Sequence, residues 1–158
     1  MQSLDPIARA ALSRLLALNN AHAEALSPLD ADGLASLVRQ AFHARCAGLD
    51  AFVLALDETA DYANPNFRWF SERHSRFVYV DRIVVAPAAR GGGIARRLYE
   101  DLFEHATRAG HGLIGCEVNL DPPNPESDAF HAALGFTEVG RARLPGGAKT
   151  VRYLERQL

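Results

Sequence analysis

Apolar and polar positions follow two different periods along this chain, and the change of period near residue 90 is its most informative feature. Phe77 to Val85, FVYVDRIVV, is rich in β-branched and aromatic side chains and stops at Ala86-Pro87. That pattern predicts a buried strand which Pro87 terminates. From Ile94 onward, Ile94, Leu98, Leu102, Phe103 and Ala106 fall at helical spacing, with Arg96, Arg97, Glu100, Asp101 and Glu104 on the other face, so a helix follows the strand. The handover runs through Arg90-Gly91-Gly92-Gly93. Three consecutive glycines leave backbone N–H groups unobstructed at a helix N-terminus, where the macrodipole also favours negative charge. The stretch reads as a phosphate cradle.

The same two periods divide the rest of the chain. Residues 5–25 carry Ile7, Ala11, Leu12, Leu15, Leu16 and Leu18 at helical spacing behind Asp5-Pro6, a pair suited to the cap and first turn of a helix. A second short helix spans Asp30 to Gln40, and Phe42–Ala47 and Ala51–Leu56 form an antiparallel hairpin about Gly48-Leu49-Asp50. The connection over residues 57–75 holds Tyr62, Phe67, Trp69 and Phe70 between polar residues, which predicts a packed short helix rather than a lid. The sharper alternative is a wall in which Tyr62, Asn64, Asn66 and Trp69 help to choose a substrate.

Beyond the central helix, Gly110 and Gly112 break the chain before Leu113–Val118, a second buried strand. The order strand, helix, strand implies a right-handed crossover with the two strands parallel. A proline-rich loop then leads to Asn124-Pro125, a strong helix start, and the helix ends at Gly135. Phe136–Arg143 and Lys149–Glu155 close the chain as a hairpin about Leu144-Pro145-Gly146-Gly147.

Bulk composition narrows the function classes. The chain has 158 residues, 48% of them hydrophobic, which suits one domain over 1–158. A net charge of −2 with scattered basic residues argues against nucleic acid or an anionic membrane as partner. Cys46 and Cys116 lie far apart, and His43-x-x-Cys46 lacks a second pair, so neither a disulfide framework nor a metal site is expected. Nothing at the N-terminus resembles a signal peptide or a membrane span, which makes the cytoplasm the expected compartment.

Motif spacing then separates the folds that use a glycine cradle. A dinucleotide fingerprint needs a glycine where Arg96 stands, and a P-loop needs Gly-Lys-Ser/Thr, which is absent. What stands here, Arg90-x-x-Gly93-x-Ala95, resembles the pyrophosphate loop of the GNAT superfamily of acyl-CoA-dependent N-acyltransferases. A second stretch, with Asn124, Ser127, Phe130, His131, Gly135 and Phe136, is similar to the helix that follows the fifth strand in that family. The likeness covers about residues 30–155.

This resemblance implies a single-domain α/β (α+β) fold, with a mixed central sheet of about six to seven strands splayed between the fourth and fifth and helices on both faces. Few residues remain for the family's opening strand, which is expected to be truncated or lost. The resemblance further implies acetyl-CoA as co-substrate, with no metal. Backbone amides of Arg90, Gly91, Gly92, Gly93, Ile94 and Ala95, flanked by Arg96, would hold the pyrophosphate. Val84 and Val85, preceded by Ile83, would pair with the pantetheine arm, and Asn124 and Ser127 would contact that arm from the other side.

The chemistry implied is direct attack of an amine on the thioester in a ternary complex, with a small-molecule or peptide amine as acceptor. A homodimer is left open. Glu117, ranked ahead of Asp81, is the candidate base, because carboxylates beside a partly desolvated site can have raised pKa values. His131 occupies the position commonly held by the tyrosine that protonates the departing thiolate, and an imidazolium there is expected to act as the acid, the alternative being a satisfied histidine on the helix surface. An acyl-CoA-binding regulatory domain without turnover is the rival reading, and a nucleotide-binding module is a second.

Overall fold

The computed structural model describes residues 1–5, 9–22 and 28–158. Among them the elements run β1 (Gln2–Ser3), α1 (Arg9–Ala21), α2 (Ala31–Gln40), β2 (His43–Ala47), β3 (Ala51–Asp57), α3 (Pro65–Ser71), β4 (Val78–Val85), α4 (Ile94–Arg108), β5 (Leu113–Asp121), α5 (Pro125–Ala133), β6 (Thr137–Arg143) and β7 (Thr150–Gln157). The expected positions of Pro6, Ile7 and residues 23–25 in the first helix lie outside the described residues. The opening strand is present, two residues long, and pairs antiparallel with β2 through Gln2↔Cys46 and Ser3↔Arg45.

The seven strands form one sheet in the order β1-β2-β3-β4-β5-β7-β6. Every neighbouring pair is antiparallel except β4 and β5, which are parallel, as the crossover through α4 requires. One feature was not legible in the chain: β7 inserts between β5 and β6, so the final hairpin adds to the sheet by its second strand.

Alternation along β3 shows why both faces of this sheet are covered. Phe52, Leu54 and Leu56 face a core built with Leu15, Leu34, Leu37 and Val38 of α1 and α2, whereas Ala51, Val53 and Ala55 face Leu98, Tyr99, Leu102 and Ala106 of α4. A strand buried on both faces reads as a continuous apolar run, which is the sequence seen. Helix α2 begins where Asp30 accepts a hydrogen bond from the Gly33 N–H at 2.7 Å, and α3 begins where Asn64 accepts from Asn66 and Phe67.

The aromatic connection is packed, as the sequence predicts. Phe67 and Phe70 of α3 are buried, and Trp69 stacks on Tyr153 of β7 with ring centroids 4.2 Å apart and planes at 16°. A Cβ on Gly140 would sit 2.5 Å from the Trp69 ring, so only glycine lets β6 pass so close. Trp69 thus holds α3 to the β6–β7 hairpin. Trp69→Ala is expected to cost about 3 kcal/mol of stability, read in chemical unfolding, while acetyl-CoA affinity stays within a factor of two of wild type.

Candidate active site

Strands β4 and β5 pair at Val78↔Ile114 and Tyr79↔Gly115 and then part. The cause lies in β4. Register against β3 jumps from Val80↔Ala55 to Arg82↔Leu54, leaving Asp81 as an unopposed bulge residue, and a bulge bends the strand that carries it. β5 meanwhile stays paired to β7 from Leu113 to Asp121. The result is a V-shaped opening that forms a cleft of ≈ 670 Å³. Past Tyr79, the β4 edge turned toward β5 has no strand beside it among the described residues, so the backbone at Val84 and Val85 faces the gap on that side.

Of the candidate catalytic and cofactor-binding residues, the structure brings all but Gly92 to the wall of this one cleft, from Asp81 through the glycine loop to His131. At its mouth, Gly93 caps α4 with φ 72° and ψ 16°, and Gly91 has φ 84°. Both lie in the left-handed region, which side chains other than glycine rarely adopt. Among the described residues no side chain caps α4. Its first intrahelical bond runs from Arg97 N–H to Gly93 O at 3.1 Å, so the N–H groups of Ile94, Ala95 and Arg96 precede any i−4 carbonyl within the helix. Arg97 Nη1 donates to Gly92 O at 2.7 Å and Arg90 Nε to Val85 O at 3.2 Å, tying down loop carbonyls. Arg90 also donates through Nη2 to His22 Nε2 at 3.0 Å, a ring whose Nδ1–H is held by Leu18 O.

Deeper in the cleft stand two carboxyl groups with different surroundings. Glu117 lines the cleft half-buried, where loss of solvation pushes its pKa up to about 8 in spite of a 2.7 Å hydrogen bond from the Tyr79 hydroxyl. Asp81 is taken up by an ion pair, Arg82 Nε to Asp81 Oδ2 at 2.6 Å, with both side chains almost fully buried. Tyr62 adds a hydrogen bond to Asp81, and Arg82 Nη1 donates to Asn19 Oδ1 at 2.9 Å. Asp81 is therefore anchored in a buried network, while Glu117 is the carboxyl group that burial leaves poised to exchange a proton near neutral pH.

His131 differs from its expected state. The ring is 5% exposed and both nitrogens are engaged: Nδ1 with Ser127 O at 2.7 Å, Nε2 with the Tyr99 hydroxyl at 2.7 Å. Because Ser127 O can only accept, Nδ1 carries the proton and Nε2 accepts from Tyr99. Burial is the largest influence on this ring and lowers its pKa, so it is neutral at pH 7. An imidazolium poised to give up a proton does not fit these contacts. The ring is also not on the helix surface.

Tyr99 is the residue that sequence reading missed. It lies on the buried face of α4 between Leu98 and Leu102, and its hydroxyl reaches the cleft between His131 and Cys116. The one available signal was a phenol on an otherwise apolar helix face, since a buried hydroxyl needs a partner. Asn124 caps α5 through Oδ1, which accepts from the Ser127 N–H at 3.3 Å, and it also borders the cleft. From the predicted wall, Asn64 and Asn66 reach the cleft and Trp69 does not.

The model of the acetyltransferase (GNAT) family matches residues 51–136, a span that runs from β3 across the glycine loop to the end of α5. The chain belongs to the GNAT family. Glucosamine 6-phosphate N-acetyltransferase 1 of Oryza sativa subsp. japonica is 32% identical over 115 residues, covering 73% of this chain and 59% of the rice protein. The chain thus spans 59% of the length of that curated relative. Among solved structures, a GNAT fold is found with TM-score 0.73 and 16% identity in the NatC complex bound to Gag peptide and CoA, over 99% of this chain and 96% of that one. YncA of Salmonella typhimurium, a putative acetyltransferase solved with acetyl-CoA, gives TM-score 0.68 and 18% identity, over 96% and 90% of the two chains. At such identities the likeness is one of fold. Among the described residues no helix is long and apolar enough to cross a membrane.

Proposed function

We propose that this GNAT protein transfers an acetyl group from acetyl-CoA to a primary amine by direct attack in a ternary complex. The observation that carries the reading is Glu117, a carboxyl group with its pKa raised to about 8 in the wall of the cleft that opens between β4 and β5. The pyrophosphate lies on the α4 N-terminus, where the N–H groups of Ile94, Ala95 and Arg96 and the helix dipole favour anions. Pantetheine runs along the free edge of β4 at Ile83, Val84 and Val85, opposite Asn124 and Ser127. A backbone N–H of that edge polarises the thioester carbonyl and holds the oxyanion as the amine attacks. Glu117, as carboxylate and through a water molecule, takes the proton that the ammonium form of the acceptor must lose.

The departing thiolate needs a hydrogen-bond donor, and the Tyr99–His131 pair supplies one. With His131 neutral, the proton between them belongs to the phenol, whose burial holds its pKa well above 10. Rotating that O–H from His131 Nε2 toward sulfur needs no ionisation. His131 is then a positioning residue for Tyr99. Tyr99→Phe should lower kcat about 10-fold, the rate equivalent of about 1.4 kcal/mol. The kcat profile should show no descending limb near pH 6.5, the ordinary histidine value. A descending limb that vanishes in His131→Gln would restore the imidazolium acid and remove the phenol from this role.

Names of the relatives suggest the first acceptors to try: glucosamine 6-phosphate, and a peptide with a free N-terminal amine. Release of free thiol from acetyl-CoA, measured with each and with a set of simple primary amines, tests the reading. Amine-dependent release is the expected result. Stabilisation by CoA with no amine-dependent release from any acceptor would overturn it in favour of a binding domain without turnover.

A further inference from the structure

We propose that Asp57, Glu58 and His111 form a binding site for one divalent transition-metal ion, Zn²⁺ by preference, at the end of the sheet away from the acetyl-CoA cleft. The strand pairing puts these residues together. Asp57 ends β3 opposite Val78, Glu58 opens the following turn, and His111 stands between α4 and β5, where Ile114 also pairs with Val78. One ligand atom from each of the three side chains lies within 4.8 Å of the other two. None of the three borders the cleft.

His111 is the observation that points to a ligand. Its side chain is 4% exposed, and its buried Nδ1 has no hydrogen-bond partner among the described residues. The nearest carboxylate oxygen, Glu58 Oε2, is 3.9 Å away, too far to accept a hydrogen bond. Two donors each about 2.0–2.2 Å from a shared tetrahedral metal stand about 3.4 Å apart, so a movement of about half an ångström would close the pair on an ion. An uncompensated buried nitrogen is costly, and a metal would satisfy it.

Contacts around the three donors hold them without using them up. Asp57 Oδ1 accepts from Thr59 N–H at 3.0 Å and from Thr59 Oγ1 at 2.6 Å, and Glu58 Oε2 accepts from Phe77 N–H at 3.3 Å, which orients both carboxylates as outer-shell partners do in metal sites. The His111 ring is wedged edge-on against Phe42, with centroids 5.0 Å apart. Two carboxylates and a neutral imidazole carry −2, which a divalent cation cancels. Arg76 is the competing cation. Its Nε is 4.0 Å from Glu58 Oε1, the oxygen not turned to His111, and its Nη2 is held by Ala109 O at 2.9 Å. One nitrogen and two oxygen donors suit Zn²⁺ over Mg²⁺ or Ca²⁺, and the Irving–Williams order puts Zn²⁺ above Mn²⁺. His43 also has a buried Nε2 without a hydrogen-bond partner among the described residues, but it faces the single carboxylate of Asp101 at 3.3 Å, which Arg45 Nε approaches to 3.5 Å, and its Nδ1 already shares a hydrogen bond with His105 Nδ1 at 2.9 Å.

Titration of the chelator-treated full chain with ZnCl₂ in a calorimeter tests the site, with the melting temperature followed in parallel. One equivalent of Zn²⁺ should bind in the micromolar range and raise the melting temperature, and Mg²⁺ should do neither. His111→Gln and Glu58→Gln should each weaken Zn²⁺ binding at least about 10-fold, whereas His43→Gln should leave it unchanged. Glu58 is partly exposed, so its variant remains informative if His111→Gln does not fold. Absence of saturable binding, or binding that survives Glu58→Gln and is lost in His43→Gln, would overturn the proposal.

Discussion

Glu117→Gln should lower kcat/KM by roughly 10²- to 10⁴-fold, the range for losing one acid–base group, and make the protein more stable at pH 8. Activity falls because glutamine cannot take a proton from the acceptor. In the wild type, kcat/KM should rise with pH to a midpoint near the Glu117 pKa of about 8. Acceptor ionisation also gives a rising limb, so the profile is measured with amines of different pKa: a midpoint that stays fixed across them belongs to the enzyme. Glu117→Gln should lose that fixed midpoint.

Stability follows from the same shift. The folded pKa of Glu117 lies above its ordinary value of 4.5, so below 4.5 the group is protonated in both states and carries no penalty. As pH rises from 4.5 toward 8, the unfolded chain ionises while the folded one keeps its proton, and wild-type stability declines. Above the folded pKa the loss is complete. The melting-temperature gap between Glu117→Gln and wild type should therefore grow across that window and level off. Tyr79 can still donate to the glutamine carbonyl, so the variant retains the hydrogen bond. A variant that keeps full activity, or shows no pH-dependent gap, would remove Glu117 from the mechanism and leave Asp81, already paired with Arg82, as the other candidate base.

What the sequence made legible depended on distance along the chain. The proposed cradle, Arg90 to Arg96, is made of consecutive residues, and the apolar runs on either side identify the strand and helix that flank it. Asn124 and Pro125 likewise announce α5. Properties set by partners far away in sequence stayed hidden. His131 reads as an acid until Tyr99, on another helix, is seen to occupy its Nε2. Trp69 reads as packing, with a substrate wall as the alternative, but that it packs against Gly140 and Tyr153 shows only in the fold. The place of β7 between β5 and β6 depends on strand pairing that no local pattern encodes. Asp57, Glu58 and His111 have no ligand spacing at all, because the sheet alone brings them together.

Replacing Gly93 should separate the two reasons the cradle needs glycine. The residue caps α4 at φ 72°, and a Cβ there would lie 3.5 Å from Arg97 Nη1, an ordinary contact, so the cost of a side chain is in the backbone and not in a clash. Asparagine tolerates the left-handed region better than most residues, and aspartate has the same shape with a negative charge. Both substitutions carry the backbone cost of about 1 kcal/mol. Only aspartate sets a charge against the pyrophosphate at the positive end of the helix dipole, where it also competes for the N–H groups of the first turn. Gly93→Asp should weaken acetyl-CoA binding about 100-fold and Gly93→Asn about 10-fold less, with the difference shrinking as salt is raised from low to physiological ionic strength. Isothermal titration gives both affinities. Equal affinities for the two folded variants, at any salt, would mean that no phosphate sits at this helix end.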